Sequence, residues 1–139
     1  MSDSKQALID TLNEHAPAII RSLNGKIIDV DTEAGLCIME WEIGENLCHS
    51  GNVVQGGIIT AMLDATMSHA VFSQQRDVTG LASLEIKVSF LEPCLAGRFI
   101  CHGRIRRAGY KILFLEGDLY NSEGSLAATS SHTAKISRG

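Results

Sequence analysis

The sequence predicts an α+β fold in which an antiparallel β-sheet curls around one long central helix. Three observations carry that expectation. One strongly apolar helical segment stands in mid-chain, from about Gly56 to Phe72. Beyond it the apolar period becomes two, the period of a half-buried strand. The segments then run helix, strand, strand, central helix and four further strands, so the central helix is the element left to fill the concave side of the sheet.

Taken in order, residues 1–22 form the first helical region. Ala7, Leu8, Leu12, Ala16, Ile19 and Ile20 recur at helical spacing, Ser2 or Ser4 caps the start, and Pro17 ends or bends the helix. The runs "KIIDVD" and "LCIMEWEI" are short strands joined through "TEAG" into a hairpin. After the central helix, "LASLEIKVSFLEP" sends Ala82, Leu84, Ile86, Val88 and Phe90 to one face and Ser83, Glu85, Lys87 and Ser89 to the other, which predicts a long strand with one buried side. "GRFICHGRIRR", "YKILFLEGDLY" and "SLAATSSHTAKI" supply three more strands, connected by "AG" and "NSEG". No repeat, linker or low-complexity tract divides the chain, so residues 1–139 are expected to form a single domain.

A formal charge of −4 argues against a nucleic-acid protein that draws affinity from phosphate neutralisation. The apolar stretch from Ile58 to Val71 is interrupted by Asp64 and His69 and is shorter than the roughly 20 residues of a membrane span. The amino-terminal residues lack the basic and apolar sequence of a signal peptide, so a cytoplasmic location is expected. Cys37, Cys48, Cys94 and Cys101 show no paired spacing that would suggest a metal knuckle or a disulfide framework, and they read as small buried apolar residues. No metal site and no cofactor are expected.

The chemistry concentrates in "HSGNVVQGGIITAMLDATMSHA", which begins at His49. Gly56 and Gly57 open the helix without side chains, so a ligand can approach the N–H groups that a helix leaves unpaired in its first turn. Those amides, at the positive end of the helix dipole, suit a carbonyl oxygen gaining negative charge. A glycine pair also serves simply to start a helix or to permit tight packing. Asp64 lies eight residues beyond Gly56, roughly 12 Å along the axis, which leaves room between them for a thioester or a water. Thr60, Ala61, Asp64, Ala65 and Ser68 form a small, polar face, opposed to a bulky one of Ile59, Met62, Leu63 and Met67. The alternative for Asp64 is an exposed acid on a solvated face. His49, on the loop feeding the helix, can bond a carbonyl or exchange a proton, and Gln55 can donate its amide to the same oxyanion or cap the helix.

The glycine-led helix, the acid eight positions on, the strand "SLEIKVSFLEPCLAG", the hairpin "RRAGYKILFLEGDLY" and the closing "NSEGSLAATSSHTAKI" together resemble the hotdog-fold acyl-CoA thioesterases of the phenylacetate-degradation type, over roughly residues 30–136. The resemblance implies that Asp64 activates water or attacks the thioester, that the Gly56 amide polarises its carbonyl, and that a polar loop residue, His49 or Gln55, supports it. The family more often carries His directly before the glycines and Asn or Gln earlier, so the two polar types are interchanged here. Gly57, Ser68 and Ser83 complete the expected substrate contacts, although strand parity turns Ser83 off the apolar face. Arg106 and Arg107, in the basic cluster "RIRRAGYK", are the expected partners of the coenzyme A phosphates. Coenzyme A enters as part of an acyl-CoA substrate, and a homodimer or homotetramer is expected, with no nucleic-acid or membrane partner. Two rival functions remain: a hotdog dehydratase or hydratase pairing His49 with a helix acid, and a non-catalytic acyl-CoA binding module.

Overall fold

The computed structural model describes residues 3–139. Helix α1 spans Asp3–Glu14, Pro17 breaks the path, and a short helix α2 follows over Ala18–Ser22. Ser4 lies inside α1 rather than capping it, and Ser2 lies outside the described residues. The strands are β1 (Lys26–Asp31), β2 (Leu36–Ile43), β3 (Cys48–Ser50), β4 (Val53–Val54), β5 (Val78–Phe90), β6 (Gly97–Ala108), β7 (Ile112–Tyr120) and β8 (Leu126–Arg138). The central helix, α3, runs from Gly56 to Gln74. Six strands form one antiparallel sheet in the order β1-β2-β6-β7-β8-β5, wrapped on α3 as the sequence predicts. The segment before α3, expected to be a loop, contains a 3-10 turn at Glu45–Leu47 and the small β3–β4 hairpin.

The sheet grips α3 at two glycines that face each other across β6 and β7. Gly103 and Gly117 are register partners. A β-carbon at Gly103 would stand 2.6 Å from the Thr66 carbonyl oxygen, and one at Gly117 would stand 3.1 Å from Met67 Cγ. The missing side chains make a dent that seats the helix backbone directly on the sheet. Around it the side chains of Met62, Leu63, Met67, Phe99, Leu113, Leu115 and Leu119 are buried, with Met39 and Trp41 of β2 closing the core. Cys37, Cys94 and Cys101 join this core as expected, whereas Cys48, on β3, is only half-buried. Desolvation pushes the Cys37 thiol up to about 12.

The strand β5 departs from its predicted pattern. It is an edge strand bonded only to β8, and Leu84 and Phe90 are 58% and 54% exposed rather than buried. Its register with β8 slips between Ser83 and Glu85. One extra residue reverses the alternation, because side chains alternate strictly in an unbroken strand. Ser83 therefore shares a face with the half-buried Leu81 on one side of the bulge, and with Ile86 and Val88 on the other.

Candidate active site

Three stations can be followed along α3 from Gly56 to its carboxy-terminal end. At the first, the ring of Phe90 lies over the start of α3, 3.4 Å from where a Gly56 β-carbon would be. The loop before the helix is tied down by Val54 N–H donating to the Cys94 carbonyl (2.7 Å) and Gln55 N–H to the Leu47 carbonyl (3.0 Å). Hydrogen bonding inside the helix begins with Ile58 and Ile59, both donating to the Gln55 carbonyl, so the Gly56 and Gly57 amides belong to the unpaired first turn. Nothing approaches a β-carbon built on Gly57. Gln55 holds the cap position through its backbone while its exposed side chain makes no cap bond. Of the two roles open to Gln55, capping by its side chain is therefore not the one taken. His49 and Gly56 line one cavity of about 440 Å³ with Val53, Val54, Ile59 and Phe90. His49 is exposed and its Nδ1 is 2.8 Å from Ser50 Oγ.

At the second station, two turns on, Asp64 projects from the small face of α3 toward β5. Its Oδ1 accepts from Ser68 Oγ at 3.4 Å and from Ser83 Oγ at 3.5 Å, and lies 3.9 Å from Nδ1 of His132. The bulge in β5 is what turns Ser83 here, against the parity expected of an unbroken strand. Both serine contacts are long, at the weak end for O–H···O bonds. The carboxylate, 42% exposed, thus keeps lone pairs for a further donor. His132 has a fully buried side chain, and its Nε2 lies 2.8 Å from Ser83 Oγ. Among the described residues its Nδ1 has no hydrogen-bond partner, and the charge beside it is that of Asp64. Desolvation lowers the pKa of His132, the Asp64 charge opposing it, so the ring is neutral at pH 7. Within one chain the histidine beside Asp64 is His132, not His49.

His132 escaped the expected site although its position was readable. In "SSHTAKI" it alternates with Ala134 and Ile136, both buried, so parity alone puts an imidazole on the inner face. At the third station, near the carboxy-terminal end of α3, His69 and Phe72 stack edge to face at a centroid distance of 5.3 Å, beside Val78 and Thr79 of β5.

The expected phosphate-binding arginines lie elsewhere. A second bulge, between Ile105 and Arg107, sets Arg107 opposite the outward-facing Phe114, and Arg106 is ion-paired to Glu116 at 2.8 Å. Arg104 bonds both Glu116 and Asp118. This cluster occupies the sheet face turned away from α3.

The family model of the thioesterase superfamily matches residues 51–128, from the end of the loop before α3 through α3, β5, β6 and β7 to the start of β8. The chain belongs to the thioesterase superfamily. This superfamily member is similar in structure to a phenylacetic acid degradation-related protein of Ralstonia eutropha JMP134, at 30% identity with a TM-score of 0.84, covering 93% of this chain and 98% of that one. The E. coli PaaI protein, from the phenylacetic acid degradation operon, shares the fold at 17% identity and a TM-score of 0.84, with 98% and 96% of the two chains covered. A Saccharolobus solfataricus protein, SSO2140, whose name proposes an esterase, is 29% identical over 86% of this chain and 84% of its own. The fold is the hotdog fold expected from the sequence, and the superfamily's reaction is thioester hydrolysis. No helix among the described residues is long and apolar enough to cross a membrane.

Proposed function

We propose that this thioesterase-superfamily protein hydrolyses acyl-CoA thioesters, with Asp64 as general base or nucleophile and the Gly56 amide polarising the carbonyl. The observation that carries the reading is the state of Asp64: a half-exposed carboxylate, held by two long serine bonds beside a neutral histidine, on a helix whose first amides are open. In the general-base form, Asp64 takes a proton from a water held against Ser83. The hydroxide attacks the thioester carbon, and the oxyanion forms on the Gly56 and Gly57 amides. The C–S bond then breaks, and the departing thiolate takes the proton back from the Asp64 carboxyl. In the nucleophile form, Asp64 attacks the carbonyl carbon, the thiolate leaves, and water cleaves the resulting anhydride. His49 and Gln55 stand at the amide end of α3, where a side-chain donor adds to oxyanion stabilisation. No cofactor enters either scheme.

One chain holds the two halves of this machinery too far apart. Eight helical residues place Asp64 about 12 Å along the axis from Gly56, more than one carbonyl group spans. The working unit therefore pairs Asp64 of one copy with Gly56 of a second. The edge strand β5 supplies the contact: antiparallel self-pairing there sets the Phe90 and Gly56 end of the second copy toward the Ser83 end of the first. Leu84, Phe90, Leu91 and Leu95, all more than half exposed, are the apolar surface such a homodimer covers.

The test is thiol release from a panel of short, medium, long and aryl acyl-CoAs, with oligomer size read by light scattering. Release from at least one of them, by a dimer or tetramer, is expected. No release from any member of the panel overturns the hydrolase reading, and an active monomer overturns the shared site.

A further inference from the structure

The cavity of about 440 Å³ at the first station is lined by Gly56 and His49 themselves, so a thioester carbonyl held at the Gly56 amide has one of its two substituents against this wall. The inner wall is Val54, Ile59 and Cys94, each at most 4% exposed, and the outer wall is Phe90, Leu91 and Pro93. Burial pushes the Cys94 thiol up, so this small side chain adds a neutral surface to the inner wall.

The backbone around the cavity is already bonded to itself. Val54 N–H donates to the Cys94 carbonyl and Gln55 N–H to the Leu47 carbonyl, while Leu91 and Glu92 N–H both donate to the Ala127 carbonyl, at 2.8 and 3.4 Å. Pro93 has no N–H to give. The pantetheine arm of coenzyme A carries amides that would leave water here without gaining partners. A hydrocarbon chain needs none, and the wall is apolar enough to receive one.

The exception in that wall is Glu92, the only acid that lines the cavity, and no lysine or arginine lines it. Its Oε1 accepts from Asn121 Nδ2 at 2.8 Å. Asn121 is itself fixed by the turn, its Oδ1 accepting from the Glu123 and Ser125 N–H groups at 3.0 Å each. The carboxylate is therefore held in place by a neutral amide, with no cation bonded to it among the described residues, and keeps its full charge.

We propose that this cavity takes the acyl group and that Glu92 restricts it to uncharged, apolar acyl groups, rejecting those that end in a carboxylate. The assignment rests on the thioester reading, which puts the carbonyl at Gly56. An acyl carboxylate entering the cavity loses its water and meets a like charge, and both effects oppose binding. The polyanionic end of coenzyme A is repelled by the same group, so it lies on the other side of the carbonyl.

The experiment compares pentanoyl-CoA with glutaryl-CoA, which has a carboxylate in place of the terminal methyl group. Both are followed by kcat/KM and, as non-hydrolysable thioether analogues, by titration calorimetry on the full chain. Pentanoyl should be favoured by about 100-fold, and Glu92→Gln, which keeps an oxygen for Asn121, should cut that ratio to about 10-fold, the part due to desolvation. Glu92→Lys should bring it to about one or below. Thioesters of the two acids with a truncated, phosphate-free thiol should show the same ratio and the same response. Equal handling of the two acyl groups by the unaltered protein overturns the proposal, and so does a ratio that neither variant moves. A response to the variants that needs the complete coenzyme A puts the thiol arm in the cavity and overturns it as well. A binding ratio set by Glu92, with no turnover of either thioester, leaves the acyl pocket standing and sinks the hydrolase reading instead.

Discussion

The two long sides of α3 are built to different standards. Toward the sheet, Met62, Leu63, Thr66 and Met67 are wholly buried and the backbone rests in the dent left by Gly103 and Gly117. Toward β5, Thr60, Ala61, Asp64, Ala65 and Ser68 are half-buried, and the acid's hydrogen bonds are close to the longest that still count as bonds. The packed side fixes where the helix lies, and the loose side keeps polar groups under-committed in that fixed position. A site needs both, since a carboxylate already saturated by its own neighbours has little capacity left for a water.

The largest effect expected from disturbing this contrast is on the loose side. Asp64→Asn keeps the size and the serine contacts but removes the charge, and turnover of a good acyl-CoA should fall by ~10²-fold or more. Melting temperature and oligomer size should stay where they were, because nothing in the core depends on the group. Wild-type rates in the Asn variant would show the aspartate to be a solvated helix residue. The packed side should respond in the opposite sense. Gly103→Ala drives a methyl group to 2.6 Å from the Thr66 carbonyl, a backbone atom that cannot swing aside. A stability loss of about 1–3 kcal/mol is expected from overpacking, read as a lower denaturation midpoint at unchanged slope.

Much of this arrangement was legible in the sequence because it follows from periodicity and punctuation. The apolar run after two glycines gave α3, the change of period gave the strands, and "TEAG" and "NSEG" became the turns ending at Gly35 and Gly124, both with positive φ. The candidate site was less legible for two physical reasons. A bulge is invisible to a rule of strict alternation, so parity turned Ser83 away from Asp64. Burial of β5 was also overestimated, since its hydrophobic residues look like core until the strand order makes it an edge. His132 belongs to no motif of the helix or its loop, and only the parity of β8 with the buried Ala134 and Ile136 places its imidazole inside.

A smaller, pH-dependent effect separates the same two sides. His132 and His69 are both buried with pKa values lowered chiefly by desolvation, while an imidazole in the unfolded chain titrates near its ordinary value of about 6.5. On acidification the unfolded chain therefore binds protons first. Stability is complete above about pH 6.5 and is lost as pH falls below it, by at most about 1.4 kcal/mol per pH unit for each histidine. Thermal melts from neutral to mildly acid pH should show this decline, and the double variant His69→Leu with His132→Gln should flatten it. An unchanged slope in the double variant would assign the acid sensitivity to other groups.

The smallest effect belongs to the outer face of the sheet, where charge is plentiful but mostly neutralised. Arg104 and Arg106 are held by Glu116 and Asp118, and Arg106 is itself largely exposed, so any phosphate they meet must compete with carboxylates already in place. Among the described residues no acid pairs with Arg107, which the bulge sets on the same outward face. If one arginine of the cluster meets the coenzyme A phosphates, across the sheet end or from a neighbouring copy, it is this one. An exposed charge contact is worth about 0–1 kcal/mol, so Arg107→Ala should raise KM for an acyl-CoA by about threefold and leave kcat alone. The increase should shrink with added salt, because exposed charges are screened over about 8 Å at physiological ionic strength. A thioester of the same acyl group with a truncated, phosphate-free thiol supplies the control, since its KM should not respond to the substitution at all. Equal sensitivity of both substrates would mean that Arg107 acts through the fold, and no sensitivity of either at low salt would remove the outer face from substrate binding.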